Sequence, residues 1–385
     1  MAATVQGRCE ARFEGVRRVF EKSFEAGEVG AAVAITLDGE PVVDLFGGYA
    51  DAARTCPWQR DTIVNVYSTT KGVTALCAHR LVEAGKLDLD APVARYWPEF
   101  AQAGKERIPV RWLLSHQAGL PAVRKPLPQD ALYDWPVLCE ALAAETPWWE
   151  PGTQHGYHAL TYGHLVGEVF RRVEGRSVGA YFQGELAHPL GLDFWIGTPA
   201  SEHARCAEMI PAPAGAAGAE DVLEQFSKNA SEMVRLTFNN PAGRRGHVNS
   251  PEWRKAEIPA GNGHGDALSL ARLYGGLACG GELDGVHLLS REAIVRASTE
   301  QAFGKDAVLG FPMRFGLGFM LRHDLMPLGP NDTTFGHAGA GGSIAYADPE
   351  ARIGFAYVMN QMQGGTTGDP RGFRLIGALY RALAG

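Results

Sequence analysis

At 385 residues the chain exceeds the length at which one hydrophobic core usually stops growing, so two lobes are expected. Its 45% apolar and 21% charged residues are the balance of a globular enzyme, and a formal net charge of −7 with no polybasic run excludes nucleic acid and anionic membrane as expected partners. Met1 to Arg12 hold no apolar core of signal-peptide length, and no stretch approaches the roughly 20 apolar residues of a membrane span, so the cytoplasm is the expected compartment.

From Cys9 to Ala26, residues Phe13, Val16, Val19, Phe20 and Phe24 recur at three-to-four spacing, which predicts an amphipathic helix ended by Gly27. Val29 to Leu37 and Pro41 to Phe46 are β-rich apolar runs on either side of Asp38-Gly39, a hairpin pattern. A turn-rich stretch from Gly47 to Asp61 delivers the chain to Ser68, and a helix is expected from there to about Ala84. Gly85 to Val93 reads as a loop before a short helix, and Trp112 to Pro121 as a short helix stopped by Gly119-Leu120-Pro121. Pro136 to Ala144, Leu160 to Val173 and Leu268 to Leu277 are further helices, whereas Pro211 to Pro259 has weak periodicity and is expected to be an irregular insertion.

Strand patterns return at Phe315 to Leu321, Gly342 to Ala347 and Ile353 to Met359, the last two joined by a turn at Asp348 to Ala351, and Pro370 to Ala384 closes the chain as an amphipathic helix. Strands at both ends and helices between them predict an α+β fold: one antiparallel sheet built from both chain ends and flanked by helices, with a mostly helical domain inserted. Residues 1–75 and 260–385 would form the sheet domain, 76–259 the inserted domain with 211–259 as its irregular cap, and the active site would lie in the cleft between them. Six cysteines (Cys9, Cys56, Cys77, Cys139, Cys206 and Cys279) without C-x-x-C pairs fit free thiols rather than a zinc or disulfide framework.

Three stretches carry chemistry. In Val66-Tyr67-Ser68-Thr69-Thr70-Lys71-Gly72 a hydroxyl and an amine stand at i and i+3, within reach across one helical turn, so a nucleophile has a base beside it. A lone S-x-x-K is more often a Ser N-cap beside a solvated Lys. Here the apolar flanks (Ile63, Val64, Val66, Val73, Leu76) argue for a buried Lys71, and the pattern occurs nowhere else in the chain. The second is Tyr157 in the Gly-punctuated loop Pro151 to Ala159, and the third is Phe335 to Ser343, whose small residues at a strand edge admit a ligand close to the backbone.

In this order the three stretches resemble the serine β-lactamase and penicillin-binding-protein superfamily, and most closely its family VIII carboxylesterases, which are similar to class C β-lactamases. Ser68-Thr69-Thr70-Lys71 matches S-x-x-K, Tyr157-His158-Ala159 stands at Y-x-N, and His337-Ala338-Gly339 at K-T-G. Leu113 to Pro121 and Pro189-Leu190-Gly191-Leu192 resemble the family's L-L-T-H-T-S-G-L-P and P-L-G-M, so the likeness runs from about Val29 to Met359. The resemblance implies a serine hydrolase without cofactor or metal, in which Ser68 attacks a carbonyl, Lys71 and Tyr157 relay its proton, and the backbone N–H groups of Ser68 and Ala340 hold the oxyanion. His337, Ala338, Gly339 and Ala159 would line the substrate.

Two departures bear on substrate. Ala159 stands where β-lactamases keep an Asn that holds a β-lactam side-chain amide, and His337 where they keep a Lys that holds its carboxylate, so a neutral ester is the expected substrate; that its acyl chain is short is what the resemblance implies. Class C-type β-lactamase or D-alanyl-D-alanine peptidase activity is the alternative, and a non-catalytic binding or scaffold protein of the same fold the second. Gly175-Arg176-Ser177-Val178-Gly179 also fits the G-x-S-x-G elbow of α/β-hydrolases, but that elbow must follow a strand and the preceding segment reads helical, so Ser177 is expected to be an N-cap. His155, His158 and His164 match no defensible zinc spacing and are expected to line the pocket or the surface. Tyr133, Trp135, Trp148 and Trp149 are expected at the cleft wall.

Overall fold

The computed structural model describes residues 4–213, 230–242, 247–364 and 368–385. The two apolar runs flanking Asp38-Gly39 form the hairpin their pattern predicts, β2 (Gly30–Leu37) and β3 (Glu40–Gly48), with both turn residues at positive φ (53° and 89°). They join β1 (Val5–Cys9), β4 (Ala302–Lys305), β5 (Pro312–Phe315), β6 (Met320–Leu321), β7 (Phe335–Ala338), β8 (Ile344–Asp348) and β9 (Ile353–Met359) in one antiparallel sheet. The strand order is β1-β3-β2-β9-β8-β7-β6-β5-β4, so the centre pairs β2 from the start of the chain with β9 from its end.

Helices cover both faces of that centre. Thr36 lies opposite Gly354, and both contact Gly275 of α4 (Ala267–Ala278); Tyr357, three residues from Gly354 and so on the opposite face of the pleat, lies opposite Val33 and packs near Gly372 of α5 (Pro370–Ala384). α5 in turn packs on α1 (Glu14–Glu25). A strand covered on both faces has no polar side to show, which is why Ile353–Met359 is buried at every position and reads as a continuous apolar run. Between β3 and β4 run α2 (Thr70–Glu83), the helices Val110–Leu114 and Trp135–Ala144, α3 (Thr161–Glu174) and shorter turns. The chain is thus an α+β fold with a large antiparallel sheet drawn from both ends and helices between.

Four expectations need correction. Cys9 belongs to an edge strand, not a helix; Val5–Cys9 is mostly exposed and carries no alternation, and α1 starts at Glu14 after a turn at Ala11–Phe13. Phe315 to Leu321 is two strands rather than one, because the chain reverses at Gly316 to Phe319; Gly318 takes φ 88°, and a Cβ there would stand 2.5 Å from that of Ala75. The strand expected at Gly342 starts at Ile344, since Ala340–Gly342 form a turn with Gly341 at φ 84° and Gly342 at φ 129°. The 211–259 region contains the helices Glu232–Asn239 and Pro251–Lys255, while 214–229 and 243–246 lie outside the described residues. Among the described residues no helix is long and apolar enough to cross a membrane.

Candidate active site

Ser68 sits on a single 3-10 turn, Tyr67–Thr69, just before α2. Its hydroxyl makes no capping bond to the helix, which removes the N-cap reading of the S-x-x-K pattern. The turn is tied down on two sides. The Val66 N–H donates to the Gly263 carbonyl (2.8 Å), and the Gly263 N–H donates to Thr70 Oγ1 (2.8 Å). From the turn between β7 and β8, Ser343 Oγ donates to the Val66 carbonyl (2.7 Å) and lies 3.1 Å from Thr69 Oγ1. Tyr67 is held in the left-handed region (φ 45°), a conformation that costs a non-glycine residue about 1–3 kcal/mol. Gly339 must be glycine here: a Cβ would stand 2.2 Å from the Val66 carbonyl and 3.3 Å from the Ser68 amide nitrogen.

Lys71 points back from the first turn of α2 and is 0% exposed. Its Nζ lies 3.0 Å from Ser68 Oγ and donates to the carbonyls of Ala159 and Ala260, each at 2.8 Å. The rings of Tyr157 and Tyr162 flank it, with centroids 4.8 and 5.7 Å away. Burial without a carboxylate partner holds the ammonium well below its ordinary pKa. A neutral amine has two N–H bonds and one lone pair. The two carbonyls take the N–H bonds, so the lone pair is left for the Ser68 hydroxyl.

Tyr157 is buried, and its hydroxyl closes no hydrogen bond; Ser68 is the polar neighbour that partly offsets the upward push of burial on its pKa. Its backbone is fixed by Asp306, whose Oδ1 accepts from the N–H groups of Tyr157 (3.0 Å), Val308 (2.9 Å) and Leu309 (2.8 Å). Asp306 Oδ2 faces His155 Nε2 at 3.9 Å, and burial pushes the carboxyl up and the imidazole down. The Tyr157 ring stacks on Phe315 and against His116, which accepts from the His158 N–H (3.1 Å) at Nδ1. His158 accepts from the Leu120 N–H (2.9 Å) at Nε2, and burial lowers its pKa to about 3.

The structure brings Ser68, Lys71, Tyr157, His337 and Gly339 together. His337 is buried with Nε2 unpartnered, its ring 6.2 Å from that of Tyr157, and burial beside Lys71 lowers its pKa to about 3, so it is a neutral imidazole. Ala159 contributes its carbonyl to Lys71. Ala340 is partly exposed on the turn after β7, whereas the Ala338 side chain is fully buried, which leaves it no surface to offer a ligand. Thr69, Ser343, Asp306 and His116 went unread in the sequence. Thr69 and Ser343 lie inside the motif-bearing stretches, but hydroxyls that bond across 274 residues leave no local signal.

Ser177 is a helix N-cap, accepting from the Ala180 N–H and donating to Glu257, and the segment before it is α3. Its hydroxyl is thus spent on structure. The three histidines are all buried rather than at the surface; His164 stacks on Trp135 (4.6 Å), whose indole donates to Glu168. Trp135 is therefore a helix-packing residue, and Trp148 is occupied by the Ala122 carbonyl and the Arg124 guanidinium, while Trp149 meets the Tyr157 loop at Gly156.

Residues 16–378 match the Beta-lactamase family, and the chain belongs to it. Esterase/beta-lactamase LipL of Mycobacterium tuberculosis is 40% identical over 365 residues, which cover 93% of this chain and 83% of its own. A penicillin-binding-protein homologue from Caulobacter crescentus superposes with a TM-score of 0.92 at 43% identity, covering 98% of this chain and all of the other. A family VIII carboxylesterase superposes with a TM-score of 0.87 at 44% identity over the same shares. The chain is accordingly a hydrolase of the β-lactamase fold.

Proposed function

We propose that the chain is a serine carboxylesterase acting on short-chain neutral esters through an acyl-enzyme on Ser68. The observation that carries this is the Lys71 amine, stripped of solvent and 3.0 Å from a hydroxyl that caps nothing. Ser68 Oγ attacks the ester carbonyl as its proton passes to Lys71 Nζ, and the N–H groups of Ser68 and Ala340 hold the oxyanion. The tetrahedral adduct collapses, expelling the alcohol with a proton returned through Lys71 or the Tyr157 phenol. Water, or an alcohol in acyl transfer, then attacks the acyl group by the reverse path and regenerates Ser68.

A neutral ester is favoured over an anionic β-lactam because His337, uncharged in its buried position, offers no cation to a carboxylate. The names of LipL and of the family VIII carboxylesterase support an esterase, and that of LipL supports β-lactam turnover by the same serine as a second reading.

The test compares Ser68→Ala and Ser177→Ala on p-nitrophenyl butyrate, with intact-mass detection of the acyl adduct and nitrocefin for the second reading. Ser68→Ala should lose at least ~10³-fold in kcat and all adduct, and Ser177→Ala should stay near the parent. Turnover that survives loss of Ser68 but not of Ser177 sinks the proposal.

A further inference from the structure

Arg371, at the start of α5, is buried and commits its whole guanidinium. Nε reaches both Asp369 oxygens (3.2 and 3.1 Å); Nη1 donates to both Glu28 oxygens (3.0 and 2.9 Å) and to the Gln361 carbonyl (2.9 Å); Nη2 donates to Asp369 Oδ2 (2.5 Å) and to the Gly341 carbonyl (2.8 Å). Of these acceptors, the Gly341 carbonyl belongs to the turn that carries Ala340. It also accepts from the Gln363 N–H (3.0 Å).

The peptide plane held this way has the Gly342 N–H at its other end, and that N–H donates to the Gly339 carbonyl (3.3 Å). The Gly339 carbonyl in turn is the far end of the peptide whose N–H is that of Ala340. A continuous path of two peptide planes therefore runs from the guanidinium to the N–H assigned to the oxyanion. Gly341 and Gly342 take φ of 84° and 129°, which lets the turn adopt this path, and the site for a Cβ on Gly342 is already filled by Asp369 Oδ2 (2.1 Å). Glu28 and Asp369 flank the guanidinium, so what reaches the turn is a fixed direction rather than free positive charge.

We propose that Arg371 is a positioning residue for the oxyanion hole, orienting the Ala340 N–H through the Gly341–Gly342 and Gly339–Ala340 peptides. This rests on the reading of Ser68 as nucleophile and Ala340 as oxyanion donor. An error of about 1 Å at a donor costs about 100-fold in rate. A lysine, lacking the planar fork, cannot hold Glu28, Asp369, Gln361 and Gly341 at once.

The test measures kcat and KM on p-nitrophenyl butyrate, together with the Ki of phenylboronic acid, for the parent, Arg371→Lys and Glu28→Gln. The boronic acid mimics the tetrahedral adduct: Ser68 Oγ bonds to boron as its proton leaves to Lys71, and a boronate oxygen takes the oxyanion position. Arg371→Lys should lose about 10- to 100-fold in kcat, keep KM within about twofold, and raise the boronate Ki by the factor lost in kcat/KM. Glu28→Gln, which keeps the local shape and loosens the same anchor, should fall on the same line at a smaller loss. A Ki that stays at the parent value while kcat falls with the folded fraction overturns the proposal, because unfolding removes sites without altering those that remain. Parent enzyme that forms no adduct on Ser68 overturns the underlying reading instead.

Discussion

Lys71 and Tyr157 are both buried, and burial acts on them in opposite senses: it lowers the amine, whose charged form is the protonated one, and raises the phenol, whose charged form is the deprotonated one. Each shift favours the neutral form of its group, so the two would play different parts. In the proposed mechanism the amine would serve as the base and the phenol as a proton donor. Below its depressed pKa Lys71 is protonated and cannot accept from Ser68, so kcat/KM should rise about tenfold per pH unit and flatten above that pKa, with no fall from Tyr157 ionisation until well past neutrality. Lys71→Ala should cost about 10²–10⁴-fold in kcat and abolish the acid limb. A pH–rate profile on a non-ionising ester checks both, and a limb that persists in the variant would assign it to another group. Stability carries the same signature: between the folded value and the unfolded 10.5, the unfolded chain binds the extra proton, so this residue makes stability rise with pH across that window.

At the scale of elements, what was legible followed from how much of its own environment each segment carries. β2, β3 and β9 contain their apolar runs and turns, and Ser68 and Lys71 are neighbours on one turn, so local pattern sufficed. β1 and β4 are edge strands of four or five residues that one partner strand holds in place, and Phe303 on β4 is 58% exposed, so no apolar alternation marks them. Asp306 was invisible for a related reason: it fastens the Tyr157 loop from 149 residues away, and nothing near it in sequence announces the loop. Asp306→Ala would orphan three buried N–H groups and should destabilise the fold by about 2–4 kcal/mol, whereas Asp306→Asn keeps an acceptor oxygen and should cost about 1 kcal/mol. Urea denaturation of the two variants tests this ordering, and equal losses would mean the carboxylate's charge, not its acceptor oxygen, is what the loop needs.

At the scale of the whole molecule, the two chain ends meet at the sheet centre, where α4 makes a close backbone contact that sequence pattern does not reveal. β9 pairs with β2 more than 300 residues away, and α4, where the chain returns from its helical middle, lies on that pair with glycine against glycine. A Cβ on Gly354 would stand 2.2 Å from the Ala271 carbonyl and 2.3 Å from the Gly275 amide nitrogen, so the obstacle is helix backbone and cannot rotate aside. α4 would have to lift from the sheet centre, opening the core under β2, β3, β8 and β9. Gly15 in α1 is the contrasting case, with nothing within 4 Å of the same added carbon and an ordinary helical φ. Gly15→Ala should therefore stabilise by up to about 1 kcal/mol through helix propensity, and Gly354→Ala should cost about 3 kcal/mol or more through overpacking. The two shifts are read from paired denaturant midpoints at constant m-value. If Gly354→Ala left the midpoint in place, the close approach of α4 to the sheet would not be what holds the two ends together.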